Sequence, residues 1–433
     1  MINKLHDKVK SLIYKTTEYH FSTVDSKVIG KNFPANVMFT HLSYLLNGTH
    51  KFIGDPGWGK TTLAQVVSTL CSGLPFDLYE SLMMSGNPDV FEEKWIGRPD
   101  YAELVSGKES VIWQGCFGLD ALVIDEANRV PAGTQAEVLE GIRTGRWRYL
   151  NSQWYEGKKP TFLTVNYQDE GNSALIPPLE DRVDVVTEEK PVSVTSDYLS
   201  ATKDIRDQLS DQRIVTKVLE ALNKKNYDLF KQLLAKERRD IYLSQKDKEQ
   251  ILDDIDAKEW TNDAHYFLWA FAAEINYSEK NGVKRSCDPV SDHTHDNKFA
   301  GVNVKRSFSA RPMMAARLYS SALAWILGHD KVELDHVRYV IPYISAHKLG
   351  FTEAYINASG NDERVDYRDL YLAKKLVQEV YGRYDSCVKP LKNLIHDIQE
   401  GKIDALKLKS KEHDHPLLKD IIKKRFEIPK MNF

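Results

Sequence analysis

Cysteine is scarce in this chain, with four in 433 residues, and Cys71, Cys116, Cys287 and Cys387 lie far apart without a CxxC pair. That excludes a disulfide framework and a paired-cysteine zinc site, and it fits a reducing compartment. Long apolar runs are missing as well. No basic stretch followed by an apolar run opens the chain, and no window approaches the roughly 18 apolar residues that a membrane-spanning helix needs. The reading is a cytoplasmic protein. An excess of one charge is also lacking, since the formal net charge is -3, so bulk electrostatics argues for neither nucleic acid nor membrane as a partner.

What is present is ordinary globular material, 42% hydrophobic and 28% charged, in a chain long enough for two or three domains that each bury a core. Glycine is concentrated in one informative place, "KFIGDPGWGKTTLAQ", residues 51–65. Gly54, Gly59, Lys60 and Thr61 satisfy G-x-x-x-x-G-K-[ST], after an apolar lead-in (Phe52, Ile53) and before a helix-compatible run. Glycines let backbone N–H groups curl around phosphate oxygens, and the helix that follows aims its positive dipole end at the same charge. Lys60 is placed to reach the β- and γ-phosphates and Thr61 to ligate Mg²⁺. The whole turn, Asp55, Pro56, Gly57, Trp58 and Thr62 included, is expected to line the nucleotide.

"ALVIDEANRV" sets four apolar residues, Ala121 to Ile124, before Asp125 and Glu126, as a buried parallel strand does when it delivers carboxylates to its C-terminal edge. Asp125 suits Mg²⁺ and Glu126 suits polarising a water. Thr161 to Val165 reads as a further strand, ending on Asn166, which can orient that water; alone, such an Asn is a turn former.

Together these segments resemble the AAA+ ATPases of the MoxR type, the helix-2-insert branch related to magnesium chelatase ATPase subunits, over residues of roughly 25–190 and again 300–350. "VIGK", Val28 to Lys31, is similar to the family's adenine-side segment, which brings Val28 and Ile29 into the nucleotide site. "GDPGWGKTT" resembles its Walker A and "VIDEANRVPAGTQAEVLEGI" its Walker B with the next helix. In "LEDRVDVV", Arg182 matches the arginine finger that a neighbouring subunit receives. In "RSFSARPMM", Arg311 matches the lid's sensor 2, although Pro312 stands where the family has a small residue.

The resemblance implies an α/β fold: a P-loop AAA+ core with a parallel sheet over 1–188, then an α-helical lid over 189–350 and a helical C-terminal extension over 351–433. It further implies a Mg-ATP-hydrolysing homo-oligomeric ring, a hexamer, remodelling or maturing a protein client, with a separate von Willebrand A-type protein as a candidate partner. An ATP-gated scaffold with slow turnover and a nucleic-acid motor or loader are the alternatives.

Two polar and aromatic inserts, about 85–115 and 145–160, correspond to elements that face the pore in ring-forming relatives, and there Trp95, Tyr101, Trp147 and Trp154 are candidates to touch a client. Apolar residues at helical spacing predict two or three extra helices within 205–260. "CDPVSDHTHDNK", Cys287 to Lys298, gathers thiol, imidazole and carboxylate in what reads first as a loop. The last 33 residues hold nine Lys or Arg against five Asp or Glu, a basic tail that suits either a solvated helix face or nucleic acid.

Overall fold

The computed structural model describes residues 2–88, 92–167, 175–202, 205–239, 242–278, 282–284, 298–359, 367–399 and 415–424. The chain divides into two compact units, Met1–Asp254 and Ile255–Phe433. No described helix is long and apolar enough to cross a membrane.

The first unit is built on five strands: β1 (Thr49–Ile53), β2 (Met84–Ser85), β3 (Leu122–Asp125), β4 (Thr161–Val165) and β5 (Val185–Glu188). They run in the order β5-β1-β4-β3-β2, and every pairing is parallel. Parallel strands are covered on both faces, and β1 is buried throughout although it reads THKFI. Its polar residues are accommodated individually: His50 stacks on Phe52 at 4.1 Å between ring centroids and bonds Thr187 Oγ1 through Nε2 at 2.8 Å, while Lys51 is paired with Glu180.

Helices of this unit are cut to length by their end residues. The helix Ile2–Tyr19 (α1) precedes Ala35–Leu45 (α2) and Lys60–Ser72 (α3); α3 stops on Gly73, left-handed at φ 76°, whose N–H returns to Thr69 O. Ala132–Thr144 (α4) and the short Pro177–Arg182 (α5) follow.

Three further helices, Gln212–Asn223 (α6), Tyr227–Lys236 (α7) and Gln245–Asp256 (α8), realise the extra helices expected within 205–260. Asp211 caps α6 and Asn226 caps α7 through their side chains. Nearly all of this segment belongs to the first unit, and the reason is local. The turn Gly115–Gly118 has no side chain at its ends, so Leu222 and Phe230 lie directly on it; an ideal Cβ at Gly118 would stand 2.3 Å from Phe230 Cε1. Arg238 closes the contact with a fork onto Asp120 at 2.8 and 3.0 Å and a bond to Ser72 O at 2.6 Å.

The second unit is helical, with Asn262–Asn276 (α9), Ala310–Leu327 (α10), Leu334–Leu349 (α11), Arg368–Gln399 (α12) and Pro416–Lys424 (α13). The lid sequence and the C-terminal extension share one core here. Glu274 on α9, fully buried, takes Arg383 of α12 at 2.5 Å and faces His415, just before α13, at 3.4 Å. The cysteine- and histidine-bearing stretch 285–297 and most of the basic tail fall outside the described residues, and no metal-ligand cluster occurs among the described ones.

Candidate nucleotide-binding site

The glycine-rich turn leaves β1 and enters α3, the context its sequence requires. Gly57 and Gly59 hold φ of 85° and 84°, a left-handed backbone that is open to glycine at little cost. Gly59 caps α3, so the first N–H groups of that helix open toward the turn. Asp55, Pro56 and Gly57 are exposed, whereas Lys60 is buried. Its ammonium donates to Gly54 O at 2.6 Å and Asp55 O at 2.7 Å, inside the turn. Burial holds its pKa below the ordinary lysine value, with Asp125, Asp55, Glu189 and Glu126 pulling the other way.

At the C-terminal edge of the sheet, three oxygens meet. Thr61 Oγ1 donates to Asp125 Oδ1 at 2.5 Å, and Thr164 Oγ1 donates to the same oxygen at 2.6 Å. Thr164 also accepts the N–H of Glu126 at 2.9 Å. Glu126 sits at φ 50°, ψ 45°, left-handed though not glycine, a conformation that costs about 1–3 kcal/mol and clusters at functional sites. Its Oε1 accepts from Asn166 Nδ2 at 3.1 Å and its Oε2 faces Arg129 Nε at 3.4 Å. The chain thus groups Lys60, Thr61, Asp125, Glu126 and Asn166 as the sequence anticipates. Hard oxygens from Thr61 and Asp125 are the donor chemistry that Mg²⁺ takes, and the left-handed glycines give the concave run of N–H groups that a triphosphate takes.

Other expected positions lie elsewhere. Val28 is buried and Ile29 sits at the tip of the hairpin Ser26–Val28/Lys31–Phe33, with φ 44°. Trp58 meets Tyr167 edge-on at 6.1 Å. Thr62, in the first turn of α3, is half-buried. Arg182 closes α5, and no hydrogen bond or ion pair among the described residues joins it to Asp125, Glu126 or Asn166. Arg311 is the second residue of α10, in the second unit.

The tryptophans proposed for a client are a correction. Trp95, Trp147 and Trp154 are buried at 3%, 4% and 7% exposure, and Trp147 stacks on Phe117 at 4.5 Å. Indole area in these inserts closes the apolar core beneath α4 instead of facing outward. Tyr101 alone of the four is exposed, together with Leu104, Val105, Leu150 and Tyr155. The two inserts are tied to each other by Asn151 Nδ2 to Glu109 Oε2 at 2.6 Å and Tyr149 Oη to Glu93 Oε1 at 3.3 Å.

Sequence reading missed Thr164, Gly86, His20 and Glu189. Gly86 follows β2 and bonds Asp125 O through its N–H at 2.7 Å. His20 and Glu189 back the glycine-rich turn. Only Thr164 carried a signal, a hydroxyl two residues before Asn166 inside an apolar strand.

Residues 52–205 match the AAA domain of the dynein-related subfamily. No curated protein matches the chain. Among solved structures, a candidate ATPase from Cytophaga hutchinsonii superposes with a TM-score of 0.58 at 15% identity, covering 87% of this chain and 96% of that one; at that identity the likeness establishes the fold. Domain match, five-stranded parallel sheet and grouped site together bear out the resemblance read from the sequence: the chain carries an AAA domain over residues 52–205, set in a P-loop ATPase fold.

Proposed function

We propose that the protein is a cytoplasmic, ring-forming, magnesium-dependent ATPase of the MoxR type that remodels or matures protein complexes. Lys60 and the N–H groups of Gly57 to Thr62 hold the triphosphate. Thr61 and Asp125 would hold Mg²⁺, which would supply positive charge to offset that of the phosphates. Glu126 takes a proton from the attacking water, and Asn166 fixes the Glu126 carboxylate through its amide. Arg311 reads the nucleotide from the lid.

The observation that carries the ring is that, among the described residues, no hydrogen bond or ion pair joins Arg182 to Asp125, Glu126 or Asn166. An arginine ending a short helix, outside the hydrogen-bonded set of Glu126 and Asn166, suits service to a neighbouring subunit, where such a residue is worth roughly 10³ to 10⁵ in rate. Specific ATPase activity against protein concentration tests it, for wild type, Arg182→Ala, Glu126→Gln and an equal mixture of the two variants. Activity that rises with concentration, two dead variants and a mixture that recovers turnover support the shared site. Activity independent of concentration with Arg182→Ala at wild-type rate overturns it, and then the scaffold reading leads.

The client side falls to the tied inserts, whose outward residues are Tyr101, Leu104, Val105 and Leu150. Whether a von Willebrand A-type protein is the partner is testable by co-purification.

A further inference from the structure

Two buried, incompletely bonded side chains brace the glycine-rich turn from behind. His20, one residue beyond α1, is 7% exposed and Glu189, one residue beyond β5, is 2% exposed. Each leans on one of the two glycines that bound the turn. At Gly59 an ideal Cβ would lie 2.8 Å from His20 Cε1, and at Gly54 it would lie 2.8 Å from Glu189 O and 3.3 Å from Glu189 Cβ. The two side chains also face one another, His20 Nε2 standing 3.8 Å from Glu189 Oε2.

Neither group is satisfied. His20 Nε2 and Glu189 Oε1 are buried with no hydrogen-bond partner among the described residues. Leaving such a group unpaired is costly in an interior, and a native orphan calls for an explanation. A leucine or phenylalanine at position 20 would fill the same space without that cost. Glu189 is meanwhile held in place: its Oε2 accepts from Asn36 Nδ2 at 2.7 Å, and Asn36 also donates to Ser22 Oγ at 3.1 Å. Its own N–H is fixed to Ile53 O at 2.7 Å. The carboxylate is anchored to the sheet, so shortening the 3.8 Å separation to hydrogen-bond length calls for a shift of the imidazole by roughly 1 Å.

We propose that His20 and Glu189 form a clamp on the phosphate loop and act as positioning residues for the bound nucleotide. The pair grips the loop at Gly54 and Gly59, so that the N–H groups between them point at phosphate. Closing the His20–Glu189 gap when phosphate fills the loop gives the orphaned His20 Nε2 an acceptor in the liganded state. Through His20 the N-terminal helix α1 becomes part of the nucleotide site, a role no motif in residues 1–20 announces. The inference rests on nucleotide binding by this turn and not on ring formation.

Because the loop holds phosphate equally in ground and transition states, loss of the clamp is uniform binding: KM rises while kcat holds. The experiment is calorimetric titration of the full chain with ADP, alongside KM and kcat for ATP, in His20→Ala, Glu189→Gln and the double variant. The expected result is roughly tenfold weaker ADP binding and a matching rise in KM in each single variant, kcat within about twofold, and a double variant no worse than the singles. His20→Gln, which restores a donor, recovers most of the affinity. Circular dichroism shows which variants fold, and if His20→Ala does not, His20→Gln and Glu189→Gln carry the comparison. Unchanged ADP affinity in the folded variants, or additive losses, overturns the clamp. Failure of the ring reading shows up elsewhere, as concentration-independent activity with ADP affinity untouched.

Discussion

Thr164 Oγ1 lies 2.6 Å from Asp125 Oδ1 while it accepts the N–H of Glu126 at 2.9 Å. One hydroxyl therefore holds both carboxylate-bearing residues, the first through its side chain and the second through its backbone. Register explains the geometry: Leu163 pairs with Ile124, so the next residue on each strand, Thr164 and Asp125, meet at the sheet's edge.

Thr164→Val keeps the shape and removes the hydroxyl. The N–H of Glu126 then loses its acceptor, a loss of about 1–3 kcal/mol, and Asp125 and Glu126 lose their common anchor. We expect a lower urea midpoint and at least a roughly tenfold fall in kcat, since small displacements of catalytic groups are expensive, with ADP affinity nearly retained. A valine variant as active as wild type would show that Asp125 is held well enough by Thr61.

This residue marks where sequence reading ends. Gly54 to Thr61 and Asp125–Glu126 were legible because phosphate and magnesium chemistry demands particular residue types at short, fixed spacings. Thr164 and Gly86 act through strand register, and His20 and Glu189 through contacts spanning 39 and 135 residues to Gly59 and Gly54; no local pattern encodes either. The tryptophans misled for a related reason. The insert at 145–160 forms a hairpin over Arg146–Tyr155, but which of its faces is covered depends on Phe117 and α4, far away in the chain.

Gly86→Ala tests the seam behind the carboxylates. An ideal Cβ at Gly86 would stand 2.1 Å from Glu126 O, against backbone that cannot rotate away. Overpacking of this kind costs about 1–3 kcal/mol, and here it also pushes on Glu126. We expect lost stability and lost ATPase together. Gly133→Ala, in the first turn of α4 with nothing within 4 Å of the added carbon, is the control and should be neutral or slightly stabilising. Equal behaviour of the two alanines would refute the seam.

The left-handed backbone of Glu126 separates activity from stability. Glu126→Ala and Glu126→Gly both remove the carboxylate and both should abolish turnover. Only alanine pays the left-handed penalty of about 1–2 kcal/mol, offset in part by the entropy that glycine loses on folding. We expect the glycine variant to be more stable than the alanine variant by up to about 1 kcal/mol in chemical denaturation. The reverse order would mean that position 126 relaxes its φ of 50° once the side chain is gone.

Acid should weaken the fold in a window set by buried histidines. Burial pushes His41 down to about 4 and His50 to about 3 in the first unit; in the second, burial and then the neighbouring His329 push His336 down to about 4. Each folded pKa lies below the unfolded value near 6.5, so between about pH 6.5 and the folded value the unfolded chain binds the extra proton. Stability is therefore fully present above about pH 6.5 and declines as pH falls toward 4, by about 1–2 kcal/mol per histidine at pH 5. Ordinary carboxylates titrate mostly below that window, which leaves pH 5–6.5 to the imidazoles. Burial and then Arg317 also hold His265 of the second unit below its ordinary value, so each unit carries two such rings and both should lose stability as the pH falls if they melt separately. His50→Phe keeps a ring against Phe52 while removing one titration, and should take about one proton out of the first unit's slope. Denaturation midpoints that stay level from pH 7 to pH 5 would mean that these rings gain protons without unfolding, and the neutral, buried state assigned to them would be wrong.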